Sequence, residues 1–150
     1  PTGTGGSMAE THTTNKDLIR RTNEGLNRQS REAFVEHHAD DVVLHVAGED
    51  IHGIDAALEH EQALWHAFPD LHHTLANVIA EGDLVAYHFT AAGTHEQEFR
   101  GIEPTGREFE ITGQGMVRVD DGAAAEGWLN YDVLGMLGQL GVVESPPMKH

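Results

Sequence analysis

The chain has 150 residues, enough for one domain with a real core but not for two, and it carries 25 acidic residues against 9 basic ones, a formal net charge of -16. A surface of that sign repels nucleic acid and anionic membrane, and no apolar run approaches the roughly eighteen residues that cross a bilayer, so both kinds of partner are excluded from expectation. With no cysteine there is neither a disulfide framework nor thiolate chemistry.

Only two of the basic residues, Lys16 and Lys149, are lysines. The charge leaves two readings open: an ordinary acidic protein, or one from a host with high internal salt, where screening removes the self-repulsion. Pro1 to Ser7 read as a cloning linker ahead of Met8, residues 8–143 as a single domain and residues 144–150 as a tail. No basic-plus-apolar leader follows Met8, so a cytoplasmic protein is expected.

In chain order, Thr14-Asn15-Lys16-Asp17 resembles a capping box, and Leu18, Ile19, Thr22 and Leu26 recur at helical spacing, which predicts a helix over about 15–27. Ser30 can cap a short second helix with Phe34, Val35 and His38 on its inner face, followed by a strand over Val42–Val46. Gly48 to Gly53 reads as a turn-rich loop. Asp55 can cap a third helix that Pro69 stops, with Leu58, Glu61 or Gln62, Trp65 and Phe68 facing one way. The period then changes from helical to alternating, and four strands are expected at Leu75–Ala80, Leu84–Gly93, Glu108–Val119 and Ala124–Tyr131. Short turns join them, which favours an antiparallel meander. Asp132 can cap a last helix over Val133–Leu140 that Gly141 ends. Helices first and then an antiparallel sheet is an α+β pattern.

Three ordered motifs narrow this further: Ala67-Phe68-Pro69-Asp70-Leu71; Gly93-Thr94-His95 with Phe99-Arg100-Gly101-Ile102-Glu103-Pro104-Thr105-Gly106-Arg107; and Glu126-Gly127-Trp128 with Asp132-Val133-Leu134-Gly135-Met136-Leu137-Gly138-Gln139-Leu140-Gly141. Together, over roughly residues 15 to 143, the chain resembles the SnoaL-like polyketide cyclases and predicted ester cyclases of the nuclear-transport-factor-2-like superfamily. The resemblance implies a cystatin-like α+β barrel, a cone-shaped curved antiparallel sheet packed on N-terminal helices around an apolar pocket. It also implies a homodimer formed through the exposed sheet face, and catalysis without a cofactor.

Strand parity selects the side chains that point into such a cone. Val85, Tyr87 and Phe89 form the more apolar set of their strand, which turns His88 outward; Phe109, Gly113 and Gly115 share one parity on the next strand, and Gly127, Leu129 and Tyr131 on the last. Two glycines in mid-strand either bend the sheet or leave room for a ligand. In the aldol-type cyclases of the family an aspartate on the last strand is the acid/base; counting back from Gln139, that position is Leu129 here. A family histidine position falls on Gly127, and neighbouring polar positions fall on Gly113 and Gly115. Leucine cannot abstract a proton, so that mechanism does not carry over residue by residue.

The remaining acid/base candidates are His45, at the end of a strand expected to reach the pocket mouth, and Glu61, which interrupts an apolar helix face where burial raises a carboxyl pKa. Tyr131 and Tyr87 can donate hydrogen bonds to a substrate oxygen, with Trp65, Phe68, Val85, Phe89 and Phe109 as wall. Arg118-Val119-Asp120 has the spacing of related epoxide hydrolases, yet Asp120 belongs to an Asp-Asp-Gly turn. The twelve histidines form no His-x3-His or His-x-His pattern, so no metal site is expected. Three functions follow: a cofactor-independent cyclase or isomerase acting on a small or medium apolar carbonyl compound, a non-catalytic binder of a small apolar molecule, or an enzyme of the epoxide-hydrolase kind.

Overall fold

A computed structural model describes residues 8–144; the linker expectation for residues 1–7 and all but the first residue of the tail lie outside them. The helices are α1 (Met8–Asn27), α2 (Arg31–His37), α3 (Ile54–Ala67) and α4 (Val133–Gln139); the strands are β1 (His38–Val46), β2 (Glu49–His52), β3 (His72–Glu81), β4 (Leu84–Thr94), β5 (Glu108–Asp120) and β6 (Ala123–Tyr131). One six-stranded sheet runs in the order β2-β1-β6-β5-β4-β3, curved but not closed. The meander from β3 to β6 is antiparallel, as expected, but β1 joins β6 in parallel. Register shifts leave an extra residue or more in β1, β3 and β6, and such residues increase local bend and twist.

Several boundaries differ from the sequence reading for physical reasons. Helix α1 starts at Met8 rather than near 15, because residues 8–13 contain no breaker and His12 Nε2 accepts from the Gly82 backbone N–H in the β3–β4 turn at 3.1 Å. Inside that helix Asp17 pairs with Arg20 at 3.0 Å instead of closing a capping box. The expected 48–53 loop contains β2, hydrogen-bonded back onto β1 through a two-residue turn at Ala47 (φ 48°) and Gly48 (φ 89°). Helix α3 begins after Gly53, without a side-chain cap, so Asp55 lies inside its first turn.

Helix positions are fixed by specific contacts. Gly25 brings α1 against α2, since a Cβ there would stand 2.9 Å from that of Ala33. Asn27 clamps the His73 backbone of β3 from both sides, donating to its carbonyl at 2.9 Å and accepting its N–H at 2.8 Å, while Asn23 donates to the same carbonyl at 3.1 Å. Ser30 caps α2 through the Ala33 N–H, and Asp132 caps α4 through the Gly135 N–H at 2.8 Å. The main core gathers Trp65, Phe68, Leu71, Phe89, Phe99, Phe109 and Leu140 where α3, the sheet and α4 meet. None of the described helices is long and apolar enough to cross a membrane.

The motif residues meet in this core and build it. Asp70 accepts from the Thr94 N–H and from its hydroxyl, both at 2.7 Å, while Gly93 lies under Phe68 and the Phe109 ring. His95 is fully buried; its backbone pairs with Arg107 and Gly106, and its Nδ1 accepts from the Thr105 N–H. These contacts of His95 with Thr105, Gly106 and Arg107 tie the two ends of the loop together. Arg107 forms no ion pair among the described residues and lies against Gly141 instead.

Candidate active site

Between the inner sheet face and helices α1, α2 and α3 lies a cavity of about 170 Å³. Strand alternation supplies most of its wall: Leu44 and Val46 from β1, Tyr87, Phe89 and Ala91 from β4, Phe109 and Ile111 from β5, Leu129 and Tyr131 from β6. Helices contribute Ile19, Leu26, Glu61, Leu64 and neighbours. No lysine, arginine or aspartate lines it, and Glu61 is its one carboxylate, among the described residues.

Burial dominates the electrostatics. Desolvation pushes the Glu61 carboxyl up to about 7, with only a partial offset from the Trp65 indole one turn on. Glu61 lines the cavity and is half-buried by its accessible surface. Tyr87 is pushed up to about 12 by burial and then by the Glu61 charge, and Tyr131 is raised chiefly by burial. Neither phenol has a hydrogen-bond partner among the described residues, so both O–H groups can be offered to a ligand. Three histidines also reach the wall: His38, His60 and His73, each lowered by desolvation, His73 to about 4. Burial thus favours the neutral form in all three.

Glu61, Tyr131, Phe68, Tyr87, Phe89, Phe109 and Leu129 line the cavity, as parity and helix phase indicated, and Gln62 is exposed. Others proposed from sequence do not. His45 sits on the opposite sheet face, because Val42 and Val46 turn inward and odd positions turn out. There its Nδ1 meets Asp50 at 2.7 Å and its Nε2 meets Glu126 at 2.8 Å, with the ring stacked 5.6 Å from Trp128. The hydrogen bond to Glu126 and then that to Asp50 raise its pKa, which favours the protonated ring between two carboxylates on the face away from the cavity. Val85 packs with Leu18, Ile19 and Val119 in a separate core cluster, and Trp65 belongs to the main core, where it supports Glu61.

Gly113 and Gly115 leave room, but not for a ligand. The Phe89 and Tyr87 rings lie directly across them on the paired strand, where any Cβ would collide with the ring. At Gly127 the space goes to Leu44, whose Cδ2 would stand 3.0 Å from a Cβ. Aromatic and aliphatic side chains thus fill the volume that larger residues would occupy at these three positions. Arg118 pairs with Glu126 at 3.6 Å, and Asp120 ends β5 beside its turn; neither lines the cavity, so no epoxide-opening set forms around this motif. The described residues contain no cluster of three or more side chains suited to hold a metal ion.

At one side of the cavity Arg100, at the tip of the β4–β5 loop, pairs with Glu49 of β2 at 3.2 Å. Both charges act on His60 and Tyr131, which puts this exposed pair beside the rim. His60, His73 and the Arg100–Glu49 pair were missed from sequence. Only the helical phase of His60, next to Glu61, offered a signal.

The sequence matches the family model of the SnoaL-like polyketide cyclases over residues 16–140. Among solved structures, wild-type IdmH from Streptomyces antibioticus is 36% identical, with a TM-score of 0.76 over 85% of this chain and 99% of its own. AclR from Streptomyces galilaeus, which carries a provisional hydroxylase designation, is 28% identical with a TM-score of 0.79 over 91% and 99%. A SnoaL-like protein from Jannaschia sp. CCS1, at 22% identity and a TM-score of 0.83 over 95% and 100%, shares the fold. No curated protein sequence matches the chain.

Proposed function

We propose, for a chain that belongs to the SnoaL-like polyketide cyclase family, that the inner cavity performs cofactor-independent acid/base chemistry on a small neutral carbonyl compound, as a cyclase or isomerase. The observation that carries this reading is Glu61, a lone carboxyl in an apolar cavity with its pKa pushed up to about 7, facing two unpartnered phenols. At neutral pH such a group is present in both protonation states, which suits it to take and return a proton. The carboxylate removes a proton from the carbon beside the carbonyl, and the electron pair moves to the carbonyl oxygen, where the Tyr87 or Tyr131 O–H stabilises it. Return of that proton to another atom gives isomerisation. Attack of the enolate carbon on a second carbonyl gives a ring, and Glu61 then protonates the new alkoxide. The absence of lysine and arginine from the wall favours a neutral substrate, and a cavity of this size suits one or two rings.

Proton abstraction can be tested without knowing the natural substrate. In D2O the protein should speed exchange of the hydrogens beside the carbonyl of 2-tetralone, followed by proton NMR, and Glu61→Gln should abolish the acceleration. Binding of the ketone without exchange would favour the second reading, a non-catalytic small-molecule binder, to which Leu129 and Gly127 at the family's polar positions point.

The outer sheet face supports the homodimer the family resemblance implies. It presents Ile79, 68% exposed, with Ala86, Met116 and Trp128 among neutral polar residues, in a chain whose net charge of -16 opposes contact elsewhere. A second copy is the partner proposed. Sedimentation should show a dimer that Met116→Glu converts to a monomer, and a wild-type monomer at micromolar concentration would refute it.

A further inference from the structure

Within the cavity one polar group has a donor and acceptor sense fixed by geometry alone. His38 closes α2 and opens β1, and its Nδ1 lies 2.7 Å from the Phe34 carbonyl oxygen one turn back. A carbonyl can only accept, so the proton of the neutral imidazole is at Nδ1 and Nε2 holds a bare lone pair. The ring is held in place by stacking on Phe34, with centroids 4.1 Å apart and planes 23° from parallel. Nε2 has no hydrogen-bond partner among the described residues, yet it is not a sealed orphan as His95 Nε2 is, and His38 lines the cavity. His73 and His60 lack such a partner, so their tautomers stay open; the phenols of Tyr87 and Tyr131 can both donate.

We propose that His38 Nε2 is a hydroxyl-reading subsite, so that the cavity selects a carbonyl compound that also carries a hydroxyl group, whose O–H is donated to this nitrogen. The proposal rests on the cavity being the ligand site and assigns the substrate class more closely: neutral, with one oxygen that accepts from a phenol and a second that donates to an imidazole. Burial, which keeps His38 uncharged, supports the acceptor role, since an imidazolium would offer a donor at both nitrogens. A site built around an acceptor discriminates strongly against a ligand that leaves it unpaired.

The test compares 2-tetralone with its 5-, 6-, 7- and 8-hydroxy derivatives, which carry the donor to successive positions round the ring, using tryptophan fluorescence and proton NMR for affinity. At least one hydroxy isomer should bind at least tenfold tighter than the parent. His38→Phe, which keeps the stack on Phe34, should erase that preference, so that the hydroxy isomer and the parent bind this variant equally within about twofold. Should His38→Phe lose its near-ultraviolet circular dichroism, His38→Gln serves instead: its amide oxygen can still accept, and part of the preference should return. Equal binding of parent and all derivatives to wild type overturns the subsite while leaving the cavity reading intact, and so does a preference that survives in His38→Phe. If no compound binds, parent included, the cavity reading and the subsite fall together.

Discussion

The two faces of the β1–β6 half of the sheet hold the same kinds of side chain in opposite electrostatic states. Inside, Glu61 lies in an apolar cavity with neutral histidines; burial raises the carboxyl and lowers the imidazoles, so the charged form loses at every group. Outside, His45 hydrogen-bonds Glu126 and Asp50 in partial contact with water, and the imidazolium is favoured. A histidine and a carboxylate in one sequence neighbourhood therefore say little until the face is known. Desolvation makes a poised acid/base of one set, and direct pairing makes a clamp of the other.

The largest effect should follow from removing the inner carboxyl. Glu61→Gln should reduce exchange of the ketone probe by about 100-fold or more, the usual worth of a positioned general base. The same variant should be at least as stable as wild type at pH 7, because it removes a group whose charge is poorly solvated. A loss of melting temperature with activity retained would reverse the roles assigned to the two faces. Next comes the cavity floor: Gly115→Ala drives a Cβ into the Tyr87 ring and Gly113→Ala drives one into Phe89, each costing about 1–3 kcal/mol in denaturant unfolding. If the glycines served ligand access instead, these variants would keep their stability and lose only affinity.

Much of the architecture was legible because it depends on local pattern. The period change after Pro69, the turn chemistry at Gly82 and Gly122 and the Asp132 cap each fix an element with nearby residues alone. What escaped was set by partners distant in sequence. The parallel pairing of β1 with β6 joins residues some 80 positions apart, and β2 exists only because Ala47 accepts a left-handed conformation without the usual Asn-Gly signal. In the site, parity identified Tyr87, Phe89, Leu129 and Tyr131, and helix phase left Glu61 or Gln62. His45 stands near the end of β1 as expected, but the inward parity of Val42 and Val46 turns it to the outer face. The role of Gly113 and Gly115 needed the β4–β5 register, which sets Phe89 and Tyr87 directly opposite them.

Acid and base titration sharpen the comparison, because the two faces leave opposite traces. Glu61 binds its proton more tightly folded than unfolded, so its contribution is complete below about 4.5 and is lost as pH rises to about 7. At about 1.4 kcal/mol per pKa unit, this is on the order of 3 kcal/mol. His38 and His73 act the other way, their contribution being lost as pH falls below 6.5, to about 4 for His73. The total profile is therefore flattened, and the difference between wild type and Glu61→Gln isolates the carboxyl: wild type should gain on the variant as pH falls from 7 to 4.5. A constant gap would mean that Glu61 titrates as a solvated side chain.

The smallest effect belongs to the outer clamp. His45 has a raised pKa, so its stabilisation is complete below 6.5 and fades as pH rises through the folded value. His45→Gln should lower the melting temperature by at most a few degrees at pH 6, as for exposed ion pairs, and by less at pH 9. Molar KCl should narrow the gap at pH 6, since these charges are partly exposed and screened, while leaving the Glu61 difference between pH 4.5 and 7 nearly unchanged. Exchange of the ketone probe should be the same in His45→Gln as in wild type. A large loss there would draw the outer histidine into the chemistry; an unchanged rate leaves proton transfer to the face where charge is hardest to hold.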